Sequence, residues 1–272
     1  MSIFSYDLPG SAFRQAVKAR DEILNILGPV IAERRRVIEK NEEMEEKFQV
    51  DVALKAKDAN GEFSFNNNAV VCMLLGLLFA GRDTSAHAAM WLLIYVLQHP
   101  QVYQKAKEEQ EMILKQRPST QKGLIYKEIK QMTYAAKVIN ETLRVSHVTT
   151  VSCRKATTDI NIHGYTIPKE WNVIIMVRDI HMDSQIYPNP QQFDPSRWDN
   201  YTPKPGTFLS FGMGGRFCPG NELARLEMTI LLHHFLLNYK CERLNPEALV
   251  SSLPIPVPVD NCLAKFSKLK SY

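Results

Sequence analysis

One segment limits what this chain can fold into more than any other. From about residue 67 to residue 99 most positions are apolar or small, and Pro100 closes the run. As a helix rising 1.5 Å per residue it would be about 45 Å long. A helix apolar on most faces belongs in the interior of a large domain, so the other helices are expected to pack around it. Its longest unbroken apolar stretch, AVVCMLLGLLFAG at 69–81, stops at Arg82 and Asp83. That is short of the roughly 20 residues a bilayer span needs. The centre of the helix reads Ala80, Gly81, Arg82, Asp83, Thr84. Small and polar residues midway along an apolar rod call for a chemical reason.

The surroundings read as follows. Phe13, Ala16, Val17, Ile23, Leu24 and Leu27 recur at helical spacing within 11–48, with a kink expected at Pro29. ERRRVIEKNEEMEEK then reads as a solvated helix face and KDANGEFSFNNN as a loop, with Asn68 or a neighbour capping the long helix. Further helices are expected at 101–116, at 134–146 and from just after Cys218 to about Tyr239. TTDINIHGYTIPKEWNVIIMVRD alternates around Gly164 and Pro168 and reads as short strands. Residues 186–207 hold five prolines and read as an ordered meander, and LPIPVPVDN as an extended tail. The fold class is mainly α with a small β part late in the chain.

Composition narrows the function. With 45% apolar and 23% charged residues the chain has the make-up of a globular domain, not a disordered one. A net charge of +4 over 272 residues is too small to mark a nucleic-acid binder. Five cysteines, an odd number without a C-x-x-C pair, exclude a disulfide framework and a structural zinc site and suit a reducing compartment. MSIFSYDLPG reads as neither signal peptide nor anchor.

One cysteine stands apart. FGMGGRFCPG, residues 211–220, sets Cys218 in a glycine-rich loop, two residues after Arg216 and just before a helix. Unpaired helix N–H groups and a nearby guanidinium favour thiolate over thiol. Such a thiolate can be a nucleophile, a zinc ligand or an axial ligand to haem iron; the bland alternative is an inert buried cysteine. A nucleophile needs a base, but His233 and His234 are over about 20 Å along the same helix. Zinc needs further ligands at short spacing, and there are none. Haem accounts for the neighbours: Gly212, Gly214 and Gly220 admit a flat macrocycle, Phe211 shields the sulfur, and Arg216 pairs with a propionate.

FGMGGRFCPG resembles the F-x-x-G-x-R-x-C-x-G signature of the cytochrome P-450 monooxygenases at every fixed position. AGRDT at 80–84 matches the family's [AG]-G-x-[DE]-T pattern in its oxygen-site helix. Ala80 and Gly81 leave room for dioxygen, the Thr84 hydroxyl distorts the helix by back-bonding and holds water, and Asp83 relays protons. ETLR supplies Glu141 and Arg144 three apart on one helix face, and NPQQFDPSRW supplies Arg197. In this family the three form a buried structural triad. Arg154, after HVTTVSC, resembles the second propionate-binding arginine by position, with Thr149, Thr150 and Val151 as substrate contacts.

The resemblance implies one cytochrome P-450 domain over 1–272, with its oxygen helix at 67–99, its E-x-x-R helix at 134–146 and its haem-thiolate loop at 208–220. It implies heme b held by Cys218, electrons from NADPH through a cytochrome P-450 reductase, dioxygen and a small hydrophobic substrate. Lys204, Arg216 and Arg225 are candidates to meet the acidic reductase. Within the family, AFRQAVKAR, CPGNELARLE, HHFLLNYK and PVDNCLAK resemble the plant ent-kaurenoic acid oxidases of gibberellin synthesis, although those often carry Glu-Ser at the oxygen site. Oxidases of brassinosteroids and sterols, abscisic acid or triterpenes are the neighbouring possibilities. The resemblance places full members on the cytosolic face of the endoplasmic reticulum through an N-terminal anchor, which this chain is expected to lack. The contrasting expectation is a truncated product without activity that does not hold haem stably.

Overall fold

The structure, a computed structural model, describes residues 7–41, 45–251 and 255–269. It divides into two compact units, Met1–Arg82 and Asp83–Tyr272.

The first unit holds α1 (Ala12–Lys40), α2 (Gln49–Lys55) and the start of α3 (Asn67–Gln98). Ser11 caps α1 by accepting the Arg14 N–H at 3.1 Å. Pro29 lies inside α1, yet the helix continues to Lys40. Residues 42–44 of the expected charge run lie outside the described residues. The sequence pattern missed α2. Its organiser is Asp51, fully buried, which takes Arg34 Nε and Nη2 at 2.7 and 2.8 Å and the N–H groups of Lys47 and Phe48 at 3.1 Å each. The Arg34 hydrogen bonds are the main reason its carboxyl is held down to about 2. Ile31, Ile38, Leu54, Val70 and Val71 close a small core in the same unit. Asn66, not Asn68, caps α3 by accepting the Ala69 N–H at 2.8 Å.

The helix α3 is unbroken from Asn67 to Gln98, so the polar centre does not interrupt it. Its first turns join the small core through Val70 and Val71 and its second half buries Ala88, Trp91, Leu92, Ile94 and Val96, whereas Leu77, Leu78 and Phe79 between them are exposed. The sequence reading had the whole helix interior. By length and composition alone α3 is long and apolar enough to cross a membrane.

In the second unit follow α4 (Pro100–Gln116), the single turn α5 (Tyr126–Ile129), α6 (Thr133–Ser146), α7 (Val177–His181) and α8 (Asn221–Asn238). Leu92, Val96, Ala106, Val138, Ile139, Leu232 and Leu236, from α3, α4, α6 and α8, form the main core. Glu109 of α4 caps α6, accepting the N–H groups of Tyr134 and Ala135 at 2.6 and 2.9 Å. His233 of α8 reaches Gln110 Oε1 at 2.9 Å inside this core.

Among the described residues the strands form four antiparallel pairs. β1 (Val151–Lys155) pairs with β4 (Asn172–Met176), and β2 (Ile160–Ile162) with β3 (Tyr165–Ile167). His163 and Gly164, both at positive φ, make the tight turn between β2 and β3. β5 (Tyr239–Arg243) pairs with β8 (Ala264–Lys268), and β6 (Val250–Ser251) with β7 (Val257–Pro258). Part of the proline-rich tail thus folds back as a strand; its residues 253 and 254 lie outside the described residues.

Burial holds His147, His181 and His233 down at about 4, below the ordinary histidine value of about 6.5. Each must be neutral in the folded state and gains a proton more readily when unfolded. Their contribution is complete above about pH 6.5 and is lost as pH falls toward 4. Thermal melts are expected to show Tm falling between about pH 6.5 and 4.5, with a shallower fall in His233→Gln; a flat profile would contradict the buried neutral state.

Candidate functional site

The site begins with a buried charge pair. Glu141 and Arg144 lie one turn apart on α6 with fully buried side chains. Arg144 Nε donates to Glu141 Oε2 at 2.9 Å and Nη2 to Oε1 at 2.7 Å. Its remaining N–H groups reach the carbonyls of His181 at 2.8 Å, Pro190 at 2.7 Å and Gln192 at 3.2 Å. All five guanidinium donors are engaged. Glu141 also takes the Asp194 N–H at 3.1 Å, Arg197 Nε at 3.4 Å and Trp198 Nε1 at 3.0 Å. Arg197 spends its other donors on the carbonyls of Pro188 at 2.8 Å and Asn189 at 3.4 Å. The meander is therefore wound around one ion pair. Trp198 is a partner the sequence reading missed, although NPQQFDPSRW contains it.

The loop leading to Cys218 is pinned next. Tyr187 Oη donates to the Thr207 carbonyl at 2.9 Å, Thr149 Oγ1 to that of Ser210 at 3.2 Å, and Ser210 Oγ to that of Leu143 at 3.2 Å. The loop then turns through Gly212 and Gly214 at φ +74° and +65°, conformations that favour glycine. The Cys218 N–H donates to the Phe211 carbonyl at 2.9 Å, which doubles the loop back and sets the thiol just before α8. A side chain at Gly220 would lie 3.8 Å from the Cys218 sulfur.

These elements enclose a cavity of about 310 Å³ within the second unit. Cys218, Arg216, Phe211 and Gly212 line it from the loop, Thr84, Ser85 and Ala88 from α3, and Arg154, Ser152, Val148 and Thr149 from α6's exit and β1. The lining holds one half-buried thiol and two guanidiniums. Arg154 Nη1 donates only to Ser152 Oγ at 2.8 Å and to the Cys153 carbonyl at 2.9 Å. Neither arginine pairs with a carboxylate among the described residues. No cluster of three histidine, cysteine or acidic residues is present among the described residues, so a multi-ligand metal site has no donors there. A single soft sulfur donor, two guanidiniums without a carboxylate partner among the described residues and otherwise largely apolar walls suit a haem with one protein ligand and two propionates.

Not every expected residue lines this cavity. Thr150 turns away: its Oγ1 donates to the His147 carbonyl at 3.0 Å and closes the turn after α6. Val151 opens β1 opposite Met176 and is exposed. Val148, Ser152 and Ile175 take those places, the last two as facing partners in the β1–β4 ladder. Strand alternation could have identified Ser152 had the start of β1 been known. Ala80 and Gly81 are exposed on α3 before the unit boundary, and Asp83, half-buried, is outside the lining set. His87, unremarked in the sequence, back-bonds through Nδ1 to the Asp83 carbonyl at 2.5 Å. Arg225 is not a surface cation. It donates to Asn140 Oδ1 at 2.6 Å and Asn221 Oδ1 at 2.9 Å and lies 5.2 Å from the Phe211 ring centroid. Of the three cations suggested for a reductase, Arg216 lines the cavity and Lys204 is exposed.

Comparison with known proteins agrees with this architecture. The cytochrome P450 family model matches residues 1–254, and the chain belongs to that family. It is 50% identical over 265 residues to beta-amyrin 11-oxidase of Glycyrrhiza uralensis, covering 97% of this chain and 54% of that protein. It is 44% identical over 262 residues to ent-kaurenoic acid oxidase 1 of Arabidopsis thaliana, covering 96% and 53%. Among solved structures it is similar to a retinoic acid bound cyanobacterial CYP120A1, with a TM-score of 0.79 and 26% identity over 98% of this chain and 60% of that one. The chain spans about half the length of the curated relatives it matches.

Removing Glu141 strands a buried guanidinium. Glu141→Ala is expected to lower stability by about 3–5 kcal/mol in urea titration. Arg197→Ala, at a partly solvated position with the longest contact to Glu141, is expected to lose less than half of that. Equal losses would show that the pair is not the centre of the brace.

Proposed function

We propose that this chain carries the haem-thiolate site of a plant monooxygenase that oxidises a terpenoid. The observation that carries the reading is that Cys218 and Thr84 line one cavity together with two arginines that have no acid partner among the described residues. A haem, when bound, supplies activation of dioxygen with electrons from NADPH delivered by a cytochrome P450 reductase at the cytosolic face of the endoplasmic reticulum.

The roles of the side chains follow from their chemistry. Cys218 would supply the sulfur ligand to the iron, and the loop turned at Gly212 and Gly214 fixes the place of that sulfur. Arg216 and Arg154 would hold the two propionates, and Phe211 would keep water from the sulfur. Thr84, exposed and among the residues that line the cavity, would orient a water and pass a proton to the oxygen site. Asp83, the neighbouring half-buried acid, exchanges protons with solvent. Ala88 leaves space beside them. Val148, Thr149 and Ile175 form a mostly apolar wall that orients a hydrophobic substrate and excludes bulk water.

A neutral triterpene fits better than a diterpenoid acid. Among the described residues the cavity offers no cation besides Arg154 and Arg216, both assigned to propionates, so a substrate carboxylate would lack a partner. Identity to the β-amyrin oxidase also exceeds identity to the kaurenoic acid oxidase, 50% against 44%.

Incubation with haem, reductase and NADPH in microsomes, followed by mass spectrometry, tests the reading. A neutral triterpene is expected to gain oxygen, and Thr84→Ala to lower product formation at least about tenfold. Oxidation of ent-kaurenoic acid alone would overturn the substrate. Unchanged turnover in Thr84→Ala would overturn the role of the threonine, and a chain that takes up no haem would favour a non-catalytic product.

A further inference from the structure

We propose that His181 is the positioning residue for the cysteine loop: its imidazole Nε2 accepts the Leu209 N–H and joins the Glu141–Arg144 pair to the segment that carries Cys218. The proposal rests on the haem-thiolate reading above, since it concerns how that ligand is held.

His181 closes α7 and is 1% exposed. It is tied at both ends. Its carbonyl accepts from Arg144 Nη1 at 2.8 Å, and its ring Nε2 accepts from the Leu209 backbone at 2.9 Å. The ring is held between Phe208, stacked at 5.5 Å, and Tyr187, edge-on at 6.4 Å. Tyr187 in turn lies under the Arg144 guanidinium at 5.1 Å. The imidazole thus has little freedom to turn.

From Leu209 a short series of backbone bonds reaches the thiol. The Leu209 carbonyl accepts the Gly212 N–H at 2.9 Å, which sets the turn, and the Phe211 carbonyl accepts the Cys218 N–H at 2.9 Å. The other pins on 207–210 are hydroxyl groups, Tyr187, Thr149 and Ser210, and each reaches a backbone carbonyl. His181 alone among these anchors satisfies a loop N–H, and it does so with an aromatic ring that cannot swing away. A buried N–H left without an acceptor is costly, so this contact fixes the loop more firmly than its neighbours do.

The role demands a particular protonation state. Nε2 must offer its lone pair, so the proton sits on Nδ1, a buried nitrogen that has no hydrogen-bond partner among the described residues and tolerates that cost in exchange for the Leu209 contact. Burial first, then the charges of His147 and Arg144, keeps the ring neutral down to about pH 4.

The test uses the haem-loaded full chain and three readouts. Nitrogen NMR of the wild type is expected to show His181 as the Nδ1-protonated tautomer. Hydrogen exchange is expected to show the 207–212 segment protected as well as α6. His181→Phe keeps the ring stack but removes the acceptor. It should speed exchange of 207–212 about tenfold while α4 and α8 stay unchanged, and lower the thiolate fraction in the reduced carbon-monoxide spectrum several-fold. His181→Gln, whose amide oxygen can take the place of Nε2, should restore both. An Nε2-protonated ring or an unprotected loop in the wild type overturns the proposal even if His181→Phe fails to fold. Unchanged exchange in His181→Phe, or no rescue by glutamine, also overturns it. A wild type with no thiolate spectrum but a protected loop would instead count against the haem reading.

Discussion

The second unit depends on one ion pair that water does not reach. Two unit charges buried without partners would cost several kcal/mol each, so the pair survives only because every donor and most acceptor positions are filled. Arg144 does this by gathering carbonyls from three separate points of the chain, at 181, 190 and 192. Glu141 does it by collecting Asp194, Arg197 and Trp198. A segment with little regular structure of its own, from the end of α7 to Trp198, is thereby given one conformation. The hydrophobic core of α3, α4, α6 and α8 supplies the rigid floor.

The cavity is built on top of that constraint. The braced meander presents Tyr187 and His181 to the loop at 207–210, and that loop ends in the glycine turns that double back to Cys218. Cys218, Arg154, Arg216 and Thr84 then line one cavity although they come from distant parts of the sequence. The arrangement of these side chains traces back to α6.

Much of this was readable from the residues because the chemistry needs short fixed spacings. A cysteine between glycines and an arginine, a Glu and Arg one helical turn apart, and a threonine in an apolar helix each declare themselves within a short window. The main helices were readable from periodicity and from Pro100. What was not readable depends on contacts far apart in sequence. Asp51 and Arg34 create α2 from a heptapeptide with no pattern of its own. Thr150 and Val151 were expected as substrate contacts by resemblance, but Thr150 bonds the His147 carbonyl in the turn after α6 and Val151 is the exposed first residue of β1, a boundary that no local signal gives. Arg225 looked like a surface charge until Asn140, 85 positions away, was seen to hold it. The long helix looked uniformly interior because hydropathy is all a sequence offers; the exposure of Leu77, Leu78 and Phe79 belongs to packing.

The central claim is a bond between the sulfur of Cys218 and iron. X-ray absorption at the iron edge of the haem-loaded protein measures it directly. A sulfur scatterer in the first coordination sphere, lost in Cys218→Ala with Cys72, Cys153, Cys241 and Cys262 intact, is the result expected. A sphere of nitrogen and oxygen alone, or a sulfur that persists in the variant, would contradict the assignment of this loop as the haem-binding element.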